Sequence, residues 1–99
     1  MRLDEVVRQL DSLDRDTIVC VRQPWTPSSE CCLTPPLVDL GVPSAVTSAG
    51  FEYFLEVHIA LEALEVFEHR TRRPTDDEKA RLLVYYATHD AFPDWVYDD

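Results

Sequence analysis

Four side chains in the middle of this 99-residue sequence have the residue types of a metal site. On an α-helix His58, Glu62, Glu65 and His69 would share one stripe about 60° wide. A single ion reaches only about one helical turn, so the four could not bind one metal across roughly 16 Å. We therefore interpret them as the solvated stripe of a mostly buried helix, and we predict no metal site.

The three cysteines are the second candidate for chemistry, because thiolates on paired strands could bind zinc or act as nucleophiles. Their spacing matches no zinc motif. Neighbouring residues of a strand point to opposite faces, so at most one of Cys31 and Cys32 can join Cys20. We expect all three to pack as small buried hydrophobes. A small enzyme that uses Cys31 or Cys32 with a histidine or a metal is the alternative. No catalytic residue or cofactor is predicted.

Phosphate chemistry is disfavoured by the glycine content. The sequence holds only Gly41 and Gly50, so no glycine-rich loop can cradle a nucleotide phosphate. The basic residues Arg70, Arg72 and Arg73 follow the predicted central helix, where cations interact favourably with the helix dipole. We interpret them as residues that stabilise the C-terminus of the helix rather than as a phosphate-binding site.

The charge balance limits the classes of partner. The chain has 19 Asp and Glu against 9 Lys and Arg, a net charge of −10. Such a surface repels nucleic acid and anionic membranes, so we expect a basic protein partner and no direct contact with nucleic acid or membrane. The odd number of cysteines and the lack of a long apolar run predict a cytoplasmic protein.

The predicted partner-binding surface combines acids with large aromatic side chains. The Glu residues between positions 52 and 68 occur without a Lys or Arg, and four Asp lie in the last ten residues. Tryptophan buries a large area and dominates binding energy at interfaces. The predicted contact residues are Glu62, Glu65, Glu68, Asp94, Trp95, Asp98, Asp99 and Trp25. Two alternatives stay open: the acids serve solubility, or Trp95 closes the core.

The elements that position these residues follow from periodicity. Apolar residues at helical spacing predict a first helix over residues 3–13, and β-branched residues predict a strand over 17–22. Turn residues then lead to a partner strand at 30–34. Residues 37–40 are either an edge strand or a loop, and 41–50 are a connection.

The second half of the chain is predicted to be helical. Residues 51–69 are apolar around most of a helix circumference, which predicts a buried central helix from about residue 49 to residue 70. Thr75 and Glu78 form a capping box that starts a third helix, and this helix should stop near His89.

The predicted fold class is therefore α+β. Three helices pack on a short antiparallel sheet, a hairpin with or without an edge strand, in the order α-β-β-(β)-α-α. Residues 1–99 form one domain, in which residues 90–99 are an acidic aromatic tail. The expected core consists of Val6, Leu10, Ile18, Val19, Phe54, Leu55, Ile59, Leu64, Val66, Leu83 and Tyr86.

Several segments resemble a family of small bacterial proteins of unknown function. They are residues 22–27 (RQPWTP), 50–57 (GFEYFLEV) and 74–79 (PTDDEK) with 85–87 (YYA). The resemblance implies a stand-alone bacterial or phage domain, of the kind often met as an immunity protein, an antitoxin or an inhibitor of a defence nuclease. It assigns no functional residue.

The function expected from these observations is a non-catalytic acidic binding protein. It would be an inhibitor or immunity-type protein that occludes a basic, nucleic-acid-handling partner, such as a toxin, a nuclease or a defence effector. Besides the small enzyme, the alternative is a homo-oligomeric scaffold, for example a homodimer with Trp25 or Trp95 in its interface.

Overall fold

The computed structural model describes residues 1–35, 44–69 and 73–97. Within these ranges the chain has an α+β fold, which confirms the predicted class. The strands are β1 (Ile18–Arg22), β2 (Cys31–Thr34) and β3 (Phe51–Glu56), and the helices are α1 (Leu3–Arg8), α2 (Ser44–Ser48), α3 (Val57–Leu64) and α4 (Asp76–His89). Short 3₁₀ turns occupy Leu10–Ser12, Glu65–His69 and Asp94–Tyr97.

The strand β1 is the centre of a three-stranded antiparallel sheet with the order β2-β1-β3. Ile18 to Val21 are all buried, which fits a run of apolar residues without alternation. The β1–β2 hairpin is confirmed. Arg22 and Glu30 join its two strands by an ion pair of 3.1 Å between Nε and Oε2.

The strand β3 corrects the sequence interpretation, because residues 51–56 were predicted to be the first turns of the central helix. A bulge in β3 explains the misleading pattern. Leu55 lies opposite Val19 and Tyr53 lies opposite Cys20, so Phe54 is an extra residue. Phe54 and Leu55 are therefore both buried although they are adjacent. This breaks the alternation by which a strand is normally recognised.

The segment before β3 also differs from the prediction. The helix α2 lies within residues 41–50, which were predicted to be a connection. Gly50 ends it with a φ of 94°, a backbone conformation that glycine adopts without strain. The predicted edge strand at residues 37–40 lies outside the described residues.

The helix α3 begins directly after β3 and is anchored to the loop before β1. The N–H groups of Val57 and His58, which have no partner within a helix, donate to the carbonyls of Thr17 and Arg15, both at 2.9 Å. The α-helix ends at Leu64 and continues as a 3₁₀ turn. The central helix is thus much shorter than residues 49–70, and its predicted stripe is not one α-helical face.

The hairpin loop between β1 and β2 holds the N-terminus of α1. The N–H groups of Leu3 and Asp4 donate to the carbonyls of Ser29 at 3.0 Å and Pro27 at 2.9 Å. Ser29 also stabilises the loop, because its hydroxyl donates a hydrogen bond across it to the Pro24 carbonyl at 2.7 Å. The loop therefore satisfies the otherwise unpaired donors of the first helical turn.

The helix α4 follows the sequence closely, and its capping box is confirmed. Thr75 Oγ1 accepts the N–H of Glu78, and Glu78 Oε1 accepts the N–H of Thr75, both at 3.1 Å. The helix ends at His89, before Asp90 in a left-handed conformation. Its first turn is joined to α1, because Arg8 Nε donates to Asp76 Oδ2 at 2.9 Å.

The main core combines residues of the sheet with residues of α1, α3 and α4. The predicted core residues that are buried are Val6, Leu10, Ile18, Val19, Phe54, Leu55 and Leu83. The remaining ones, Ile59, Leu64, Val66 and Tyr86, are half-buried and pack against buried residues. A smaller cluster contains Phe67, Leu82 and Val96. No helix within the described ranges is long and apolar enough to cross a membrane.

The small cluster yields a stability prediction. Leu82 is fully buried, so Leu82→Ala should lower the free energy of unfolding by about 2–5 kcal/mol, through lost apolar burial and a residual cavity. Thr88→Ala on the exposed side of the same helix is the matched control and should change it by less than about 0.5 kcal/mol. Urea unfolding of both variants is the measurement. An equal effect of the two would contradict the burial of Leu82.

Candidate functional site

The first candidate site is a groove beside the 3₁₀ turn that follows α3. It has a volume of about 380 Å³ and is bounded also by the turn after α1 and by the start of α4. We call it the acidic groove, and its lining residues are Asp11, Leu61, Leu64, Glu65, Phe67, Glu68, Pro74 and Lys79.

The acidic groove has an apolar floor and an acidic rim. Phe67 is buried and the two leucines are half-buried, whereas the three acids are exposed. Lys79 contributes one positive charge against these three carboxylates. The groove is therefore negative at its rim and apolar below, a combination suited to an amphipathic basic segment.

The 3₁₀ turn brings two predicted contact residues together. Side chains three residues apart eclipse each other in a 3₁₀ helix, so Glu65 and Glu68 lie on the same side of the turn. Both line the acidic groove. Glu62, which was predicted to act with them, is exposed on α3 but does not line the groove.

His58, the first residue of the predicted stripe, is half-buried and contacts two other residues of the fold. The Nδ1 atom of His58 lies 3.1 Å from the carbonyl of Arg15, and its Nε2 lies 3.4 Å from Oε2 of Glu56. Among the residues that the structure describes, no three His, Cys, Asp or Glu side chains are grouped so as to hold a metal ion. His58 thus contacts the last residue of β3 and a residue before β1, whereas Glu65 lines the acidic groove.

A second groove brings the two tryptophans together, which the sequence could not indicate. It has a volume of about 350 Å³ and is formed by the hairpin loop, by α4 and by the C-terminal 3₁₀ turn. We call it the tryptophan groove, and its lining residues are Trp25, Thr26, Pro27, Arg81, Val84, Tyr85, Thr88, His89 and Trp95.

Trp25 is anchored rather than loosely exposed. Its indole N–H donates to the Val21 carbonyl at 3.2 Å. Its ring meets Phe54 edge-on, with ring centroids 5.0 Å apart and planes at 88°. The side chain is half-buried: one part of the ring packs against the core, and the exposed part lines the tryptophan groove.

Trp95 is also half-buried. Its ring centroid lies 6.0 Å from that of Phe67 and 5.1 Å from Cζ of Arg81. The next residue, Val96, is fully buried. The C-terminal 3₁₀ turn therefore packs on the fold, in line with the alternative in which Trp95 closes a core.

The remaining tail residues complete the predicted contact surface only in part. Asp94 is exposed next to Trp95, while Asp98 and Asp99 lie outside the described residues. Phe67 lines the acidic groove and Trp95 lines the tryptophan groove. The rings of these two residues, one from the lining of each groove, are in contact.

Sequence reasoning missed most of the groove residues, for two different reasons. Asp11 and Lys79 lie on elements distant from residues 61–68 in the sequence, and no local pattern can bring them together. Leu61 and Leu64, in contrast, precede the two groove glutamates by four residues each. That spacing marks neighbours on a helix surface and could have identified the apolar floor.

The cysteines are free, with Cys20 and Cys31 buried and Cys32 half-buried. Burial raises the pKa of the Cys20 thiol to about 11 and the pKa of the Cys31 thiol to about 12. Both thiols therefore keep their protons at neutral pH in the resting protein, whereas a catalytic nucleophile or a zinc ligand acts as the thiolate. Packing is the role that these two side chains fit, as expected.

Comparison with known proteins identifies the family. A family model described as a domain of unknown function (DUF7716) matches residues 1–95. The chain belongs to this family, which confirms the resemblance to a family without an assigned function. Comparisons with curated proteins and with solved structures gave no match.

The raised thiol pKa values predict how stability changes with pH. The unfolded chain ionises its thiols above their ordinary pKa of 9.0, while the folded chain retains the Cys20 proton up to about pH 11. Above about pH 9 the unfolded state binds fewer protons, so the free energy of unfolding falls as the pH rises.

Urea unfolding between about pH 8 and pH 10 measures this slope. Cys20→Ala should make the slope shallower than in the wild-type protein. Some slope should persist, because burial also raises the pKa of Cys31, and burial together with the charge of Glu56 raises the pKa of Tyr53. An unchanged slope in Cys20→Ala would contradict the assigned cause.

Proposed function

We propose that this DUF7716-family protein is a non-catalytic acidic binding protein whose acidic groove receives a basic segment of a partner protein. The observation that carries the proposal is one groove with an apolar floor and a rim that exposes Glu65, Glu68 and Asp11. In this role the protein catalyses no reaction.

Charge favours this class of partner. The net charge of −10 attracts basic surfaces over several ångströms and repels nucleic acid and anionic membranes. Within the groove the rim carboxylates can pair with Lys or Arg of the partner. We therefore propose neither nucleic acid nor a membrane as a direct partner.

The apolar floor adds affinity that charge alone does not supply. Exposed ion pairs are worth about 0–1 kcal/mol each, because water solvates both partners well. Burying one apolar side chain of a partner contributes about 1.5–3 kcal/mol. Leu61, Leu64 and Phe67 offer such a surface between the acids. An amphipathic segment with both basic and apolar side chains fits the groove best.

The tryptophan groove extends the same surface. Trp25 and Trp95 are half-buried and held by the core, so little side-chain entropy is lost when a partner covers them. Phe67 of the acidic groove and Trp95 of the tryptophan groove are in ring contact. A partner that covers both grooves would contact both tryptophans, and Asp94 next to Trp95 adds a further negative charge.

A protein that binds in this way acts by occlusion. Basic surfaces of nucleic-acid-handling proteins are the parts that contact phosphate. An acidic protein that covers such a surface blocks it, which is the role of an inhibitor or immunity-type protein. We assign the partner to the class of basic toxins, nucleases or defence effectors, and both proteins to the cytoplasm.

The two alternatives receive less support. A cysteine-dependent enzyme that uses Cys31 requires the thiolate of this residue, and burial raises the pKa of the Cys31 thiol. A homodimer through the tryptophan groove would bring two copies of a strongly negative chain together, which repulsion opposes. The mass of the protein in solution distinguishes a dimer from a monomer.

A defined peptide tests the proposal without knowledge of the natural partner. The probe is a fluorescein-labelled helical peptide of Lys and Leu with the leucines on one face, and fluorescence anisotropy measures its Kd. Glu65→Lys/Glu68→Lys should weaken binding at least about tenfold, because two attractive charges become repulsive. Raising the salt concentration should also weaken binding to the wild-type protein.

The control variant carries the same change of charge elsewhere. Asp16→Lys/Glu52→Lys alters two exposed acids that do not line the groove, and it should weaken binding by less than about threefold. A peptide in which Ser replaces Leu should bind more weakly than the probe to all three proteins. Equal weakening by the two double variants would show that charge acts diffusely, which contradicts a groove site.

A further inference from the structure

We propose that Cys20 and Cys32 are a site of covalent modification, at which a peroxide forms a reversible disulfide within the chain. This inference is independent of the proposed binding function. It rests on the register of the hairpin, on the different exposure of the two thiols and on the chemistry of a thiol pair.

The strand register places the two cysteines face to face. Cys20 of β1 is the direct Cα partner of Cys32 of β2. Directly opposed residues of an antiparallel pair point their side chains to the same face of the sheet. Burial, the charge of Cys32 and a hydrogen bond to Cys32 raise the pKa of Cys20, in keeping with two thiols on one face of the sheet.

The hydrogen-bond pattern fixes the separation of the two backbones. The N–H of Arg22 donates to the Glu30 carbonyl at 3.0 Å, which makes this a hydrogen-bonded pair. Such pairs recur every second residue, so Cys20 and Cys32 form the next one, with Cα atoms about 5.5 Å apart. Disulfides span Cα distances of roughly 4.4–6.8 Å. The backbone is therefore already at a distance that a disulfide can bridge.

The third cysteine is excluded from this pair by the same register. Cys31 is the partner of Val21, and its side chain points to the opposite face of the sheet. On that face it belongs to the main core. Cys31 thus serves as an internal control, since it is adjacent to Cys32 in sequence yet faces away from Cys20.

The exposure of the two thiols sets the order of the reaction. Cys20 is fully buried, whereas Cys32 is half-buried and can meet a small oxidant. Hydrogen peroxide oxidises the Cys32 thiol to a sulfenic acid and is itself reduced to water. The Cys20 thiol then passes its proton to the hydroxyl of the sulfenic acid while its sulfur attacks the Cys32 sulfur, so that the S–S bond forms, the S–O bond breaks and a second water leaves. Two thiols and one hydrogen peroxide thus become one disulfide and two waters.

The bond should be easy to reduce again. The Cβ atoms of directly opposed residues lie about 4.5–5.5 Å apart, while those of a disulfide lie about 3.5–4.5 Å apart. Closure must draw the two strands together at this position, which strains the bond. Strained disulfides are the more readily reduced ones and are typical of reversible rather than permanent links. A low-molecular-weight thiol should therefore restore both cysteines.

The test is mass spectrometry of the whole, natively folded protein after treatment with hydrogen peroxide. The wild-type monomer should lose about 2 Da, and one thiol should remain for alkylation after unfolding. Cys31→Ala should lose the same mass with no thiol remaining. Cys32→Ser and Cys20→Ala should lose none. Dithiothreitol should reverse the loss in the wild-type protein and in Cys31→Ala.

Three results would overturn the proposal. They are an unchanged thiol count in the wild-type protein, a gain of oxygen without loss of hydrogen, and a mass loss that persists in Cys32→Ser. Circular dichroism before oxidation checks that each variant is folded. Because Cys32 is only half-buried, Cys32→Ser decides the outcome even if Cys20→Ala does not fold.

Discussion

The structure depends on the position of β1, which is buried on both faces and paired along both edges. A buried backbone must satisfy every N–H and C=O group, so a strand in the centre of a fold requires a neighbour on each side. The hairpin supplies β2. The second neighbour must come from elsewhere in the chain, and residues 51–56 fulfil this requirement as β3. The helix α3 can only start after this pairing ends.

This constraint shapes the surface on which the proposed function rests. Because residues 51–56 are used by the sheet, the helical part that follows is short, and it passes at Leu64 into a 3₁₀ turn. The turn sets Glu65 and Glu68 on one side, over apolar residues that the core leaves half-buried. The position of this turn in the chain is thus a consequence of how the sheet is completed.

The hairpin has a second consequence at its two ends. The carbonyls of its loop accept hydrogen bonds from the first backbone N–H groups of α1. The same loop places Trp25 beside α4, where Trp95 of the C-terminal 3₁₀ turn lines the same groove. At its base the same register sets Cys20 against Cys32. The β1–β2 pair therefore positions half of the tryptophan groove and the whole proposed thiol pair. One set of backbone hydrogen bonds supports both features.

The sequence by itself determined the elements whose signals are local. The capping box of Thr75 and Glu78, the β-branched run of β1 and the turn residues of the hairpin act within a few residues, so their prediction required no knowledge of the rest of the chain. The acidic character and the α+β class also follow from composition and order. Only the tertiary structure decided that residues 51–56 form a strand, that Asp11 and Lys79 meet Glu65, and that Trp25 and Trp95 share a groove. The physical reason is that pairing a buried strand and closing a groove depend on contacts between distant segments, and these override the local periodicity on which sequence reading relies.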